Sequence, residues 1–281
     1  MSNQNDAASH QNDAVSNQND AVSDTNDTND DYAEEADEES PFRSRPPIPT
    51  DEALETLAAA EIDVLGQMPY SSNATFLVDL HLDGAVPAQA IYKPERGERP
   101  LWDFPGSLYR REVGAFLLSE QLGWGHVPPT IEADGPAGVG SLQLFIPSLF
   151  DEHYFTLLDD ERRFHAFKEI CAFDFVANNT DRKAGHVLLG HDDELWAIDN
   201  GLSFHQEFKL RTVIWDFAGD DLPQNVIEGL TAFLDNGLSS ALAERLTPLE
   251  RDACLARARA LLYSGEYPSD PTGRRYPWPM V

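Results

Sequence analysis

The chain has 281 residues, of which 49 are Asp or Glu and 20 are Lys or Arg, so its formal net charge is −29. This excess of negative charge argues against nonspecific binding to nucleic acid or to an anionic membrane. The length suits one large domain or two lobes with a substantial core.

The first forty residues differ in composition from the rest of the chain. They contain twelve acids and no Lys, Arg or Gly, and a seven-residue unit begins at Ser2, Ser9 and Ser16. Such a segment has too little apolar surface to offset the conformational entropy lost on folding. We therefore predict a disordered acidic tail over residues 1–45. Two roles stay open for this tail: a solubilising or salt-adapted extension, or an arm that binds a protein partner.

Targeting signals are missing from the sequence. The N-terminus has no apolar signal-peptide core, and no apolar run approaches the roughly 20 residues that span a bilayer. The two cysteines, Cys171 and Cys254, form neither a metal-binding pair nor a disulfide framework. We therefore expect a cytoplasmic protein without stable membrane insertion.

After the tail, apolar periodicity predicts strands with few helices, followed by mostly helices. An Asp-Gly pair at Asp83 predicts a hairpin turn, and Gly123 closes a helix. The predicted elements of the first part are helices over Asp51–Ala60 and Leu108–Leu122 and strands over Thr75–Leu82, Ala88–Tyr92, Val127–Ile131 and Ser141–Ile146.

The second part begins with a strongly apolar helix, predicted over Glu161–Ala177, whose wide apolar face indicates burial on most sides. Two short strands follow, and the sequence then turns helical. The later predicted helices are Val226–Leu234, Leu238–Leu246 and Pro248–Tyr263, and residues 276–281 are expected to pack as a surface strap. This order predicts an α+β fold with two lobes and a ligand cleft between them.

Two aspartates mark the candidate chemistry. Asp181 stands just before the first short strand of this second part, and Asp199 closes the second strand. Kinases place a catalytic Asp and a metal-binding Asp in this way. The alternative is that both are ordinary turn-forming residues. Asp174 interrupts the apolar helix nearby, and we expect it to anchor the loop rather than to act in catalysis.

Three further features lie in the predicted N-terminal lobe. Lys93 ends a short strand, and Glu112 lies nineteen residues later on a helix. Kinases hold a phosphate-binding Lys by such a Glu, although a solvated helix face is an equal alternative. The small polar residues Ser71, Ser72 and Asn73 precede a strand, where they form either a phosphate-binding backbone loop or an ordinary polar turn.

Together these motifs resemble the phosphatidylinositol 3/4-kinase superfamily, most closely the type II phosphatidylinositol 4-kinases. The chain also looks like a bacterial family of kinase-like proteins of unassigned substrate. The resemblance implies a two-lobed, protein-kinase-like domain over residues 46–281, with a strand-rich N-lobe at about 51–147 and a mostly helical C-lobe at about 148–281. The matching stretches are Ser71–Phe76, Ile91–Pro94, Arg111–Leu118, Gly140–Ile146, Asn178–His186 and Trp196–Phe204.

The resemblance also implies roles for single residues. Lys93, paired with Glu112, would bind the α- and β-phosphates of ATP, and the backbone of Leu144, Phe145 and Ile146 would bind adenine. Asp181 would act as the base or orienter for the acceptor hydroxyl. Asp199 would coordinate Mg²⁺ or Mn²⁺. Arg182 would fix the loop or steady the transferring charge.

His186 departs from the kinase pattern, which has Asn as a metal ligand five residues after the catalytic Asp. Magnesium prefers oxygen ligands, and imidazole suits softer metals. The substitution predicts a single-metal site, a manganese preference with His186 as a metal ligand, or slow turnover.

The sequence thus predicts an ATP-dependent phosphotransferase whose acceptor is unidentified. Because no basic amphipathic helix or acylation motif is present, a soluble small molecule or a protein hydroxyl is favoured over a lipid. The alternatives are an ATP-binding pseudokinase, a nucleotidyl transferase and a noncatalytic scaffold.

Overall fold

The structure is a computed structural model that describes residues 46–281 except Tyr70 and Ser72. The predicted acidic tail over residues 1–45 and the candidate phosphate-loop residue Ser72 therefore lie outside the described residues.

The N-terminal lobe is built on one antiparallel sheet of five strands in the order β1-β2-β3-β5-β4. Inward-facing residues such as Val78, Ala90 and Leu142 form its core together with Ala53 and Leu57 of the first helix. The elements of this lobe are α1 (Thr50–Ala59), β1 (Glu61–Gln67), β2 (Phe76–Leu82), β3 (Ala85–Pro94), α2 (Leu108–Leu122), β4 (Thr130–Gly135) and β5 (Gly138–Leu144).

Strand β1 was not predicted, and β4 begins later than expected. All residues of β1 except Ile62 are exposed, and the strand lies at the edge of the sheet, so it lacks the buried face that makes a strand visible in a sequence. The predicted strand over Val127–Ile131 was wrong at its start, because β4 begins at Thr130. Val127 is nevertheless buried in the core of the C-terminal lobe.

The C-terminal lobe packs helices around α4, as the apolar pattern of that helix predicts. Phe167, Ile170, Phe173 and Val176 of α4 are all buried. Helix α7 packs against α4 and α5 packs against α7, and they contribute Leu261 and Phe233, among others, to the same core. The helices of this lobe are α3 (Tyr154–Leu157), α4 (Phe164–Ala177), α5 (Gln224–Asn236), α6 (Ser240–Arg245) and α7 (Pro248–Ser264).

A two-stranded antiparallel ladder joins the end of α4 to the later helices. Its strands are β6 (Val187–Leu189) and β7 (Leu195–Ala197), with Leu188 opposite Trp196. Helix α4 ends at Ala177, and the next residue, Asn178, adopts the left-handed conformation with φ of 56° and turns the chain into the loop before β6. Asp181 and Asp199 thus flank the ladder, as predicted.

The predicted α+β class, with a strand-rich first lobe and a helical second lobe, is confirmed. Among the described residues, no helix combines the length and apolar character needed to cross a bilayer.

Candidate active site

Lys93 joins the two lobes through ion pairs. Its Nζ lies 2.5 Å from Oε1 of Glu112 on α2 and 2.9 Å from Oδ1 of Asp199, just after β7. The other carboxylate oxygen of Glu112 accepts a hydrogen bond from the backbone N–H of Asn200 at 2.9 Å. A strand, a helix and a loop far apart in sequence therefore converge on one ammonium group.

Electrostatics keep this cluster charged. Burial disfavours the ammonium form of Lys93, but the carboxylates of Asp199 and Glu112 outweigh that effect and raise the Lys93 pKa. The nearby Lys93 charge in turn holds the pKa of Asp199 well below its usual range. Both groups are therefore ionised at neutral pH, which suits binding of phosphates by one and of a cation by the other.

The backbone presents Asp199 to the cleft. Its φ is 56°, a left-handed conformation that Asp tolerates better than most residues. Its side chain is 53% exposed, although the neighbouring Asn200 is fully buried. Close packing follows at Gly201, where an added Cβ would lie 3.3 Å from Oε1 of Glu112.

Asp181 lies on the same cleft, beside Lys183. Its backbone N–H donates to Oδ1 of Asn179 at 2.9 Å, and its Oδ2 is 3.2 Å from Nζ of Lys183. Burial raises the pKa of Asp181, partly opposed by Lys183. Sequence reasoning assigned no role to Lys183; its position two residues after Asp181 was the available signal.

Arg182 does not face the cleft. Its guanidinium is fully buried and donates to the carboxylate of Asp174 at 2.9–3.1 Å, to Oδ1 of Asn200 at 2.6 Å and to the carbonyl of Ile198 at 2.6 Å. A side chain held in this way cannot contact a transferring phosphate. The catalytic assignment of Arg182 is therefore corrected to its alternative, fixing the loop.

Asp174 is the partner that makes this anchor. It is fully buried and also accepts a hydrogen bond from the Thr212 hydroxyl at 3.2 Å. Burial raises its pKa despite the opposing attraction of Arg182. We expected loop N–H groups as its partners, but its main partner is the Arg182 side chain.

The ring of His186 lies between the Lys183 backbone and the Asp199 carboxylate. Its Nδ1 accepts the backbone N–H of Lys183 at 3.3 Å, and its Nε2 is 3.4 Å from Oδ2 of Asp199. Burial lowers the His186 pKa to about 4, so the ring is neutral at pH 7. A neutral ring that accepts at Nδ1 carries its proton on Nε2, which leaves no lone pair there for a metal. This arrangement does not favour the predicted metal ligation by His186, which stays a prediction.

Two adjoining cavities of about 440 and 290 Å³ open around these residues. Their sizes lie in the range of small-molecule sites. Asp181 and Lys183 line the larger cavity, and Leu144–Ile146 line the smaller one. The residues that line both cavities are Ser71, Thr75, Lys93, His186 and Asp199.

The predicted adenine-binding backbone is partly committed to the sheet. The N–H of Leu144 donates to the carbonyl of Pro129 at 2.8 Å, and that of Phe145 donates to Gln89 at 3.0 Å. Within the described part of the chain, the Ile146 N–H has no hydrogen-bond acceptor. The backbone N–H groups of Leu144 and Phe145 are therefore not available to adenine, which corrects that part of the prediction. The N–H of Ile146 is the donor that remains for adenine.

The loop before β2 covers the larger cavity. Ser71 donates its hydroxyl to that of Thr75 at 2.8 Å. The side-chain oxygen of Asn73 accepts the N–H of Arg99 at 2.9 Å, which ties this loop to the segment after β3. Ser71 and Asn73 both line the cavity, and their role in binding phosphate stays a prediction.

The donor set fits a magnesium-type cation. No cluster of three or more His, Cys, Asp or Glu residues arranged to hold a metal occurs among the described residues. Magnesium at nucleotide sites is commonly held by one or two carboxylates together with substrate phosphates and waters. Asp199 provides such a carboxylate beside the phosphate-binding candidate Lys93.

Comparison with known proteins gives one strong relative. The chain is 40% identical over 266 residues to the protein Rv2133c of Mycobacterium tuberculosis. The alignment covers 82% of this chain and 95% of that protein. No protein-family model matches.

Solved kinases share the fold. The Golgi casein kinase with Mn and ADP bound aligns with a TM-score of 0.52 at 15% identity, covering 83% of this chain and 80% of that one. The hydra Fam20 structure with sugar aligns with a TM-score of 0.47 at 14% identity, covering 76% of this chain and 87% of that one. The likeness to the Golgi casein kinase shows a protein-kinase-like fold, whereas the resemblance to phosphatidylinositol 3/4-kinases stays a prediction.

Proposed function

We propose that this chain, which belongs to the family of the mycobacterial protein Rv2133c, is an ATP-dependent phosphotransferase. The observation that carries the proposal is the position of Lys93, which contacts Glu112 and Asp199 on the wall of the cavity that Asp181 also lines. These four charged residues come from separate parts of the chain, and ordinary solvated side chains would not be expected to meet at one cavity.

Each residue has a role in the proposed reaction. Lys93 binds the phosphates, and Asp199 holds a divalent cation, which would neutralise charge on the triphosphate. The acceptor hydroxyl attacks the γ-phosphorus in line, and the bond from that phosphorus to its bridging oxygen breaks, so that ADP leaves. Asp181 receives the hydroxyl proton, and Lys183 lies near enough to Asp181 to steady the transferring charge.

The loop anchor would support this geometry. Arg182 joins Asp174 at the end of α4 to Asn200, which follows Asp199. The same guanidinium therefore fixes the relative positions of the Asp181 loop and the Asp199 turn. Positioning of this kind accounts for much of the rate in phosphoryl transfer.

The acceptor class follows from charge. A net charge of −29 opposes approach to an anionic membrane. A soluble small molecule or a protein hydroxyl is therefore favoured over a phosphoinositide.

A pseudokinase is the second candidate. Two observations favour it: the loop over Ser71–Thr75 contains no glycine, and His186 stands where kinases have a metal-binding Asn. A pseudokinase would bind ATP without transferring phosphate.

Transfer from ATP labelled at the γ- or the α-phosphate tests the proposal. Incubation with a panel of hydroxyl acceptors and Mg²⁺ or Mn²⁺ should move γ-label to an acceptor, and transfer of α-label instead would indicate nucleotidyl transfer. Asp199→Asn should reduce transfer by about 100-fold or more. Asp235→Asn is the matched control, since Asp235 is exposed on α5. ATP binding without release or transfer of γ-phosphate would leave the pseudokinase, and absence of ATP binding would reject both.

A further inference from the structure

A second groove on the described surface differs in charge from the chain as a whole. This basic groove has a volume of about 900 Å³ and is open to solvent. It contains four Lys or Arg residues and two Asp or Glu residues, whereas the whole chain has more than two acids for each base. Its lining comes from residues 102–105, residues 205–211, and Thr272, Arg274 and Arg275.

Specific contacts hold the three segments together. The side-chain amide of Asn178 donates to the carbonyls of His205 and Glu207 at 2.8 and 2.7 Å. Lys209 donates to the carbonyl of Asp103 at 2.9 Å and contacts the Asp103 carboxylate at 3.2 Å. The backbone carbonyl of Arg275 accepts the N–H of Thr212 at 3.1 Å. The groove is therefore a built surface and not the chance approach of loops.

The groove continues into the candidate active site. The N–H of Arg211 donates to the carbonyl of Asn179 at 2.9 Å, and the N–H of Arg182 donates to the carbonyl of Arg211 at 3.1 Å. These residues flank Asp181, and the positive charge of Arg211 reaches its carboxylate. A polymer lying in the groove would thus pass beside the residue proposed to receive the hydroxyl proton.

Two arginines in the groove are available to a ligand. Lys209 is engaged by Asp103, and Arg275 lies over the ring of Phe208 at 4.8 Å. Arg211 and Arg274 are exposed and form no ion pair within the part of the chain that the structure describes. The side chain of Trp102 is also exposed, at 96%. Unpaired cations next to an exposed indole suit an anionic ligand with some apolar surface.

We infer that the basic groove binds an acidic peptide segment and presents its serine or threonine hydroxyl to Asp181. The inference rests on the proposed phosphotransferase function and names its acceptor class. In the transfer, the bond from the hydroxyl oxygen to the γ-phosphorus forms, the bond to the bridging oxygen of ATP breaks, the hydroxyl proton passes to Asp181 and ADP leaves. An acidic peptide can lie within the local positive charge of this open groove, whereas an anionic bilayer would also face the negative charge of the surrounding chain.

A suitable probe can be taken from the sequence itself. Residues 9–27 contain Ser9, Ser16 and Ser23. Within this segment, Ser16 and Ser23 each end the sequence Asp-Ala-Val-Ser. A fluorescent synthetic peptide of residues 9–27 supplies the stated chemistry. The control peptide has its four Asp residues replaced by Asn.

Peptide binding to the full chain without nucleotide tests the groove separately from catalysis. The double variant Arg211→Glu/Arg274→Glu should weaken binding of the acidic peptide about fivefold or more at low salt, since it removes two exposed attractions and adds repulsion. The control is Arg259→Glu, because Arg259 is exposed on α7 outside the groove, and it is compared with Arg211→Glu alone, which changes the net charge by the same amount. The acidic N-terminal sequence of each chain can compete with the added peptide for the groove. Affinities of all variants are therefore compared at one protein concentration.

The outcomes separate the two proposals. Loss of peptide binding in the groove variant, retention in Arg259→Glu and weak binding of the Asn peptide would support the groove. Equal binding by all variants, or of both peptides, would overturn it. Binding of phosphatidylserine vesicles but not of peptide would overturn it in favour of a lipid headgroup. Peptide binding without γ-phosphate transfer would leave the groove and reject the phosphotransferase.

Discussion

Removal of the Arg182 guanidinium tests whether this residue is an anchor or a catalytic group. In Arg182→Ala, the fully buried carboxylate of Asp174 loses its ion pair and keeps hydrogen bonds with the Thr212 hydroxyl and with Asn179, and the carbonyl of Ile198 loses its hydrogen bond from Arg182. Breaking a buried ion pair by removal of one partner costs about 3–5 kcal/mol. A domain of this size loses about 2–4 °C in Tm per kcal/mol, so we expect Tm to fall by about 6–20 °C.

Urea unfolding at several pH values measures the effect. Burial already raises the pKa of Asp174, and loss of Arg182 removes an opposing attraction, so the carboxyl of the variant binds its proton more tightly when folded than when unfolded. The folded state of the variant therefore gains stability as pH falls through the raised pKa, and the deficit should shrink at acid pH.

The double variant with Asp174→Ala serves as the control. It leaves no orphaned buried charge, so the two losses should be less than additive. A stable Arg182→Ala variant, with less than about 1 kcal/mol lost but no phosphate transfer, would refute the anchor assignment and return Arg182 to the reacting groups.

Three other substitutions test parts of the site. Asp181→Asn should leave ATP binding intact and lower transfer by about 100-fold or more, as followed by binding and γ-label assays; equal loss of both would contradict its role as a base. His186→Asn should keep or raise magnesium-dependent transfer, because the Asn amide supplies the oxygen ligand that Mg²⁺ prefers; total loss, with Mn²⁺ also present, would show another essential role. Gly140→Ala should destabilise the fold by about 1–3 kcal/mol and raise KM for ATP, since the added Cβ would lie 2.4 Å from the carbonyl of Lys93. Gly106→Ala is its control, as no atom lies within 4 Å of that Cβ, and an equal effect of both in thermal unfolding would reject the reasoning.

The sequence predicted those parts of the site that depend on local pattern. Lys93 and Glu112 sit on regular elements, so their pairing could be proposed from the resemblance, whereas their spacing alone left a solvated helix face equally open. The positions of Asp181 and Asp199 followed from two short apolar runs bounded by turns. Strand β1 escaped prediction because a solvent-exposed edge strand carries no burial signal.

Features that depend on tertiary contacts could not be predicted. The basic groove draws on segments around Trp102, Lys209 and Arg275, which meet only through hydrogen bonds between distant parts of the chain. The burial of Arg182 and the acceptor role of His186 Nδ1 likewise depend on how the loop closes. Motif matching names such residues but does not say which way they face.

A crystal structure with Mn²⁺ and a nonhydrolysable ATP analogue would test the central claim most directly. The account predicts an anomalous manganese peak in contact with a carboxylate oxygen of Asp199, analogue phosphates within hydrogen-bond reach of Lys93, and the γ-phosphate facing Asp181. An analogue bound elsewhere, or phosphates remote from Lys93 with no manganese at Asp199, would contradict it.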